Sequence, residues 1–226
     1  VLRRMRAMLA EDAAIVTPYG ATECLPVATI ESREVLGETA AKTAAGAGVC
    51  VGRPVPEADV TVIAIRDAPI ARWDEATPLG TGEVGEIVVG GAQATARYWD
   101  APDDTALSKI QDGEEIRHRM GDLGYVDAEG RLWFCGRKSQ RVQTEERVYY
   151  TGPVEGVFGE HPDVFRAALV SVSGRPHVVL ELEQGRSMPP TSELRELADR
   201  YDATRGIRDF HAHPGFPVDI RHNAKI

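Results

Sequence analysis

Residues 119–137 read RMGDLGYVDAEGRLWFCGR, and this stretch decides the fold. Asp122 stands in a glycine-flanked segment, residues 121–124, which we interpret as a loop. A turn follows at residues 127–130, and an apolar strand then ends on Arg137. An Asp and an Arg on neighbouring segments could hold two faces of a nucleotide, with the carboxylate taking ribose hydroxyls and the guanidinium meeting sugar or phosphate. An ordinary β-hairpin with a solvated aspartate is the alternative.

The composition is that of a globular protein with an acidic surface. Of 226 residues, 42% are hydrophobic and 27% are charged, and the formal net charge is -9. This length predicts one large or two small domains. The negative charge argues against nucleic acid or anionic membranes as partners, because both would be repelled. No stretch approaches the roughly 18 apolar residues of a membrane span, and the first residues lack the apolar core of a secretory signal.

The cysteines and histidines favour a reducing compartment and no zinc. Three widely separated thiols, Cys24, Cys50 and Cys135, are typical of reduced cysteines in the cytoplasm, which is the localisation we expect. No Cys/His spacing resembles a zinc site, so a metal, if bound, is expected on carboxylates. His211 and His213 share a strand face without a third ligand, and we interpret them as surface residues.

The beginning of the chain has the pattern of the middle of an α/β sheet. Residues 1–10 have helical apolar spacing, and Ala13–Val16 is a short strand with no earlier strand to pair with. We expect that an N-terminal portion is missing.

Residues 17–24, TPYGATEC, follow that strand at a place where open α/β sheets bind ligands. Tyr19 offers an aromatic face for a base, and Gly20 permits close approach of a backbone. Thr22 offers a hydroxyl, and Glu23 is a hard anionic ligand of the kind that Mg²⁺ prefers. The alternative is a Pro-Gly turn with polar decoration.

Downstream, the pattern turns from helix to strands. We predict a helix at residues 31–44, then strands at residues 58–65 and 85–91 in a small barrel-like or sheet subdomain that ends near Phe134. Tyr98 and Trp99 are interpreted as packing residues.

A charged break at residues 138–140 predicts a domain boundary, and a compact α+β pattern follows it. Helices are predicted at residues 153–160 and 192–201, an antiparallel strand pair at 165–172 and 178–182, and a last short strand at Phe216–Ile220.

Several separated motifs now stand in one order along the chain. They are residues 19–23 (YGATE), residues 82–87 (GEVGEI) with Tyr98 and Trp99, then residues 121–122 (GD) and 136–137 (GR). This ordered set resembles the core motifs of the adenylate-forming superfamily, which includes acyl-CoA synthetases, luciferases and nonribosomal adenylation domains. The resemblance covers nearly the whole chain.

The resemblance implies an α/β fold in two parts and a mechanism with ATP and Mg²⁺. Residues 1–137 would be the C-terminal part of the large AMP-binding domain, a sheet segment plus a small β-subdomain. Residues 138–226 would be a small, mobile α+β domain that pivots at Ser139. Lys225 matches the catalytic lysine that neutralises charge during adenylate formation, although Ala224 stands where the family usually has Gly.

The same resemblance implies roles for the nucleotide-site residues. Tyr19 would stack on adenine, Thr22 would bind the phosphate, and Asp122 would hold the ribose hydroxyls. Gly20 is expected among the nucleotide-binding positions. Arg137 would contact the nucleotide as well. Glu23 would hold Mg²⁺, and Glu23 and Thr22 would act in catalysis beside the C-terminal lysine.

Two departures from the family pattern bear on the reaction. The Ser/Thr/Gly-rich phosphate loop that the family carries upstream is absent from these residues, so we do not expect the chain alone to be a complete catalyst. Glu145 and Glu146 stand where members that use CoA have a Gly-Gly pair beside the pantetheine tunnel. Two carboxylates there would repel and obstruct a thiol-ended arm.

Within the superfamily, the sequence is most similar to the β-lactone synthetases of bacterial olefin biosynthesis. That branch implies ATP-dependent activation of a long-chain 2-alkyl-3-hydroxy acid, attack by the substrate's own 3-hydroxyl, and release of AMP. Other enzymes of the olefin pathway are then expected partners. A long-chain acyl-CoA or acyl-AMP ligase is the alternative enzyme, and a non-catalytic nucleotide-binding fragment is the alternative from another class.

Overall fold

The computed structural model describes residues 2–217, apart from the side chain of Arg3. The chain divides into two compact units. The first comprises Val1–Lys42 and Gly48–Ser139, and the second comprises Thr43–Ala47 and Gln140–Ile226. The assignment of functional domains to residues 1–137 and 138–226 stays a prediction.

The first unit is built on one large antiparallel sheet. Its strands are β1 (Val16–Ala21), β2 (Cys24–Glu31), β3 (Val49–Pro54), β4 (Asp59–Ile63), β5 (Gly85–Gly90), β6 (Lys109–Asp112), β7 (Glu115–Val126) and β8 (Leu132–Arg137). Their order in the sheet is β1-β2-β3-β8-β7-β5-β4, and β6 pairs with β7. The helices are α1 (Leu2–Arg6), α2 (Ser32–Leu36), α3 (Glu38–Ala44) and α4 (Pro102–Ser108).

Apolar strands and closely packed glycines hold this sheet together. All six residues of β5, GEIVVG, are buried, as expected for a strand with a neighbour on each side. Gly52 and Gly124 lie against the carbonyl oxygens of Thr29 and Trp133, so a Cβ at either position would clash with backbone.

A buried ionic trio ties three parts of the first unit together. Glu86 on β5 is fully buried, and its Oε2 accepts from Arg119 Nη2 on β7 at 2.7 Å. Its Oε1 accepts from Lys138 Nζ, just beyond β8, at 2.9 Å. The guanidinium of Arg119 also donates to the backbone carbonyl oxygens of Arg66, Ala68 and Leu107. Buried charges are tolerated when they are paired and hydrogen-bonded in this way.

The second unit has its own core and a smaller sheet. Its elements are β9 (Val142–Gln143), β10 (Val148–Tyr149), α5 (Thr151–Phe158), β11 (Val164–Val172), β12 (Arg175–Leu182), α6 (Thr191–Arg200) and β13 (Asp209–His213). The strand order β11-β12-β13 combines an antiparallel pair with a parallel pair. The core around Phe158, Leu180 and Leu194 packs α5 and α6 against this sheet.

Several predicted elements differ from the structure in their bounds. The predicted strand at residues 13–16 begins only at Val16, and the expected loop at 17–24 is a β-hairpin formed by β1 and β2. The predicted helix at 31–44 is interrupted at Gly37 between α2 and α3. Asp122 lies within β7 and not in a loop. Of the last predicted strand, Phe216 and Pro217 are outside any strand, and residues 218–220 lie outside the described residues.

Neutralising Glu86 should leave the buried guanidinium of Arg119 without its counter-charge. We expect Glu86→Gln to lower the free energy of unfolding by about 3–5 kcal/mol, measured by urea denaturation of the complete protein. Glu114, an exposed carboxylate in the turn between β6 and β7, is the matched control. Glu114→Gln should change stability by less than about 0.5 kcal/mol. Equal losses in the two variants would contradict this account of the trio.

Candidate functional site

The register of β7 and β8 places Asp122 opposite Arg137. The Asp122 side chain is almost fully buried, and its Oδ1 accepts from Arg137 Nη1 at 2.6 Å. The guanidinium itself is 44% exposed, so it remains open to a second partner. Asp122 and Arg137, which the sequence places on neighbouring segments, therefore form an ion pair. The carboxylate is buried, and the guanidinium is half-exposed.

The hydroxyl of Tyr19 also bonds the Asp122 carboxylate. Tyr19 lies on β1, 103 residues earlier in the sequence, and donates to Asp122 Oδ2 at 2.7 Å. Its ring packs against Phe134 on β8 with centroids 6.1 Å apart. Burial raises the pKa of Tyr19 well above its ordinary value, and the nearby Asp122 carboxylate raises it further. The phenol therefore keeps its proton and acts as a donor at neutral pH.

Three residues that the sequence places far apart thus form one cluster, which we call the Asp122 clamp: Asp122, Tyr19 and Arg137. A carboxylate beside a guanidinium is the kind of pair that can meet the hydroxyl and phosphate groups of a nucleotide. The adenine-stacking role of Tyr19 stays a prediction, because the geometry shows only its tether to Asp122.

The predicted phosphate and Mg²⁺ ligands, Thr22 and Glu23, lie in the turn between β1 and β2. Thr22 is exposed at its tip, and Glu23 beside it is half-buried. Gly20 lies at an irregularity in the β1–β2 pairing, where a Cβ would lie 2.6 Å from the carbonyl oxygen of Cys24. Glycine is therefore required at this position by the hairpin itself.

Glu23 is surrounded by side chains that sequence reasoning left out of the site. Tyr98 donates its hydroxyl to Glu23 Oε1 at 3.1 Å, and the backbone N–H of Thr95 donates to the Glu23 carbonyl at 2.9 Å. Lys109 on β6 donates to Thr95 Oγ1 at 3.0 Å and lies opposite His118 on β7. Tyr98 had been interpreted as a packing residue, and Trp99 likewise, but Trp99 is 90% exposed.

The electrostatics of this second cluster favour an ionised Glu23. Burial alone would raise the pKa of Glu23, but hydrogen bonds from its own backbone N–H and from Tyr98 lower it, and the positive charge of Lys109 lowers it further. The net pKa is below the ordinary value. Burial also lowers the pKa of Lys109, although Glu23 partly opposes that effect.

The donor set fits Mg²⁺ better than a metal with an all-protein cage. In the described residues, no group of three or more His, Cys, Asp or Glu side chains could hold a metal ion. Mg²⁺ commonly binds one or two carboxylates and completes its shell with water and substrate phosphates. Glu23 alone, with Oε2 making no hydrogen bond within residues 2–217, fits that pattern.

The remaining predicted positions lie in the second half of the chain. Ser139 lies in a short 3₁₀ helix at Lys138–Gln140. Glu145 and Glu146 are exposed at the tip of the β9–β10 hairpin, which is closed by the Thr144 N–H donating to the Arg147 carbonyl at 2.9 Å. Lys225 lies outside the described residues.

Within the part of the chain that the structure describes, no helix is long and apolar enough to span a membrane.

Comparison with known proteins finds similar sequences over part or all of the chain. Residues 1–99 match the family described as AMP-binding enzyme. The whole chain is 50% identical to the olefin beta-lactone synthetase of Stenotrophomonas maltophilia (strain K279a). The chain spans only 43% of the length of that relative.

Two solved structures share the fold. The amide bond synthetase McbA from Marinactinospora thermotolerans superposes with a TM-score of 0.70 at 28% identity, over 90% of this chain and 38% of that one. The O-succinylbenzoate coenzyme A synthetase of Bacillus subtilis, solved with ATP and magnesium ion, gives a TM-score of 0.71 at 23% identity, over 98% of this chain and 42% of that one. The predicted fold class and the predicted resemblance are confirmed.

The buried His118 should make stability depend on pH. Burial lowers its pKa to about 4, and the charge of Lys109 acts in the same direction. The unfolded chain takes up this proton near pH 6.5 and the folded chain only near pH 4, so stability is full above about pH 6.5 and falls as the pH drops towards about 4. The loss attributable to His118 should be about 3 kcal/mol.

Unfolding of wild type and His118→Gln at a series of pH values would measure this contribution. Glu155 on α5, whose pKa burial raises to about 7, contributes with the opposite sign. The quantity to compare is therefore the wild-type curve minus the variant curve, in which Glu155 cancels. A difference that stays constant between about pH 7 and pH 4 would show that His118 is not held neutral.

Proposed function

We propose that this chain, which carries an AMP-binding enzyme domain in residues 1–99, corresponds to the C-terminal part of an ATP-dependent β-lactone synthetase. The observation that carries the nucleotide assignment is the Asp122 clamp, in which a buried carboxylate bonded to Tyr19 lies beside a guanidinium that is 44% exposed. Ribose hydroxyls would donate to Asp122, and Arg137 would meet the ribose or the phosphate.

The first chemical step is adenylation of a carboxylic acid. A carboxylate oxygen of the substrate attacks the α-phosphorus of ATP, the bond from that phosphorus to the bridging oxygen breaks, and pyrophosphate leaves. Glu23 would hold Mg²⁺, which offsets negative charge on the phosphates when it is bound. Thr22, exposed at the hairpin tip, would donate to a phosphate oxygen.

Lys225 would supply a mobile positive charge in that first step. An ammonium can meet the substrate carboxylate and the α-phosphate oxygens as charge develops, and then withdraw. We assign residues 138–226 to the small domain that carries it and Ser139 to the pivot. Residues 1–137 then form the fixed nucleotide-binding part.

The second step closes the lactone within the substrate. In a 2-alkyl-3-hydroxy acid, the 3-hydroxyl oxygen attacks the activated carbonyl carbon, the bond from that carbon to the AMP oxygen breaks, and the hydroxyl proton passes to solvent. The hydroxyl is held next to the carbonyl by the substrate's own chain, so its effective concentration is high and no second substrate is required. The similarity to the S. maltophilia enzyme supports this choice of reaction.

The hairpin tip argues against CoA as the acceptor. Glu145 and Glu146 are both exposed there, where the family resemblance would place the arm of CoA. Their charges would have to be desolvated or displaced before a pantetheine arm could pass. A CoA ligase is nevertheless the second candidate, because the B. subtilis CoA synthetase shares the fold.

The cellular setting follows from the thiols and the substrate. Cys24, Cys50 and Cys135 are all free and buried, which is compatible with a reducing cytoplasm. We expect partner enzymes of olefin biosynthesis to supply the hydroxy acid and to consume the lactone.

Product analysis with and without CoA separates the candidate reactions. The complete protein, incubated with ATP, Mg²⁺ and a long-chain 2-alkyl-3-hydroxy acid, should release AMP and yield a β-lactone whether or not CoA is present. A matched acid without the 3-hydroxyl should stop at the acyl-adenylate, since it has no internal nucleophile. A thioester product that requires CoA would overturn the lactone proposal and favour the ligase. AMP binding without formation of any product would favour the non-catalytic nucleotide-binding fragment, and no AMP binding at all would exclude that alternative as well.

A further inference from the structure

Tyr98 holds the Glu23 carboxylate from a distant part of the chain. It lies between β5 and α4, 75 residues from Glu23, and its hydroxyl donates to Glu23 Oε1 at 3.1 Å. The backbone of Tyr98 is itself fixed, because its N–H donates to Thr105 Oγ1 at 3.1 Å, and that hydroxyl donates to the Ala101 carbonyl at 2.8 Å. The donor therefore reaches Glu23 from a backbone anchored on the first turn of α4.

Lys109 supports both groups that contact Glu23. Its Nζ donates to Thr95 Oγ1 at 3.0 Å and lies 5.5 Å from the centroid of the Tyr98 ring. Thr95 in turn donates its backbone N–H to the Glu23 carbonyl at 2.9 Å. One buried ammonium therefore contacts the residue that fixes the Glu23 backbone and the residue that fixes its carboxylate.

This arrangement costs stability, which points to a role in the site. Lys109 is 7% exposed and forms no ion pair within residues 2–217, although the negative charge of Glu23 partly stabilises it. Burying an ammonium without a paired anion is unfavourable, and a hydroxyl and a ring face compensate only in part.

We propose that Tyr98 and Lys109 are positioning residues that set the orientation of Glu23 for a divalent cation bound with nucleotide phosphates. The inference rests on the proposed function, in which Glu23 holds Mg²⁺. A glutamate at a hairpin turn would otherwise lose side-chain entropy each time it binds the ion, and a fixed carboxylate avoids that cost. Mutation of a residue that hydrogen-bonds and orients a metal ligand commonly lowers metal affinity by about tenfold or more.

Calorimetric titration of the complete protein with ATP over a series of Mg²⁺ concentrations tests this proposal. Tyr98→Phe removes only the hydroxyl and keeps the ring beside Lys109. In this variant, the Mg²⁺ concentration at which ATP affinity is half-maximal should be about tenfold higher than in wild type. Lys109→Met should shift it in the same direction. AMP, titrated without Mg²⁺, should bind both variants as tightly as wild type, since it uses the Asp122 clamp.

Two controls separate positioning from general loss of structure. Tyr149→Phe removes a comparable bond, from the Tyr149 hydroxyl to the Arg205 carbonyl at 2.8 Å, and should leave the Mg²⁺ dependence unchanged. In a Glu23→Gln background, Tyr98→Phe should cause no further shift, because it acts through the carboxylate.

Three results would overturn the inference. The first is wild-type Mg²⁺ dependence in Tyr98→Phe and Lys109→Met while AMP still binds, which leaves the proposed function standing. The second is an undiminished effect of Tyr98→Phe in the Glu23→Gln background. The third is failure of the wild-type protein to bind AMP, which removes the proposed function and the inference with it.

Discussion

The antiparallel pairing of β7 constrains every other feature of the first unit. This strand pairs with β5, β6 and β8, so its register cannot slip without breaking three ladders. The same register sets Asp122 against Arg137 and His118 against Lys109. One strand thus supplies the centre of the Asp122 clamp and one wall of the cluster around Glu23. The sheet therefore positions the Asp122 clamp, while the segment between β5 and α4 adds the contacts of Tyr98 and Thr95 to Glu23.

Charges in this unit are used in two different ways. The trio of Glu86, Arg119 and Lys138 is closed, since each charge has an opposite partner, and it fixes the end of the sheet just before Ser139. Arg137 of the Asp122 clamp and Lys109 are open. Arg137 is half-exposed and Lys109 lacks a carboxylate partner within residues 2–217, so both have capacity for an anionic ligand. Closed charges favour stability of the scaffold, and open charges favour binding of a nucleotide.

The sequence allowed prediction of local elements better than of their contacts. Turn residues and alternating apolar runs identified the β7–β8 hairpin and the α+β pattern after residue 140, because those signals lie within a few residues. The bond from Tyr19 to Asp122 crosses 103 residues, and the bond from Tyr98 to Glu23 crosses 75, so no local pattern reports them. The role of Tyr98 is not visible in the sequence, because a tyrosine after a glycine-rich strand has the same pattern whether its ring packs or its hydroxyl donates a hydrogen bond. Only the family motifs, taken in order, indicated that such distant residues belong together.

The most direct test of the central claim compares AMP with 2′,3′-dideoxy-AMP in wild type and in Asp122→Asn, by calorimetry on the complete protein. If Asp122 accepts the ribose hydroxyls, wild type should bind AMP at least about tenfold more tightly than the dideoxy nucleotide, since bonds to a charged acceptor are worth about 1.5–3 kcal/mol each. In Asp122→Asn, that preference should fall to within about threefold. Equal affinities of wild type for the two nucleotides would contradict the account.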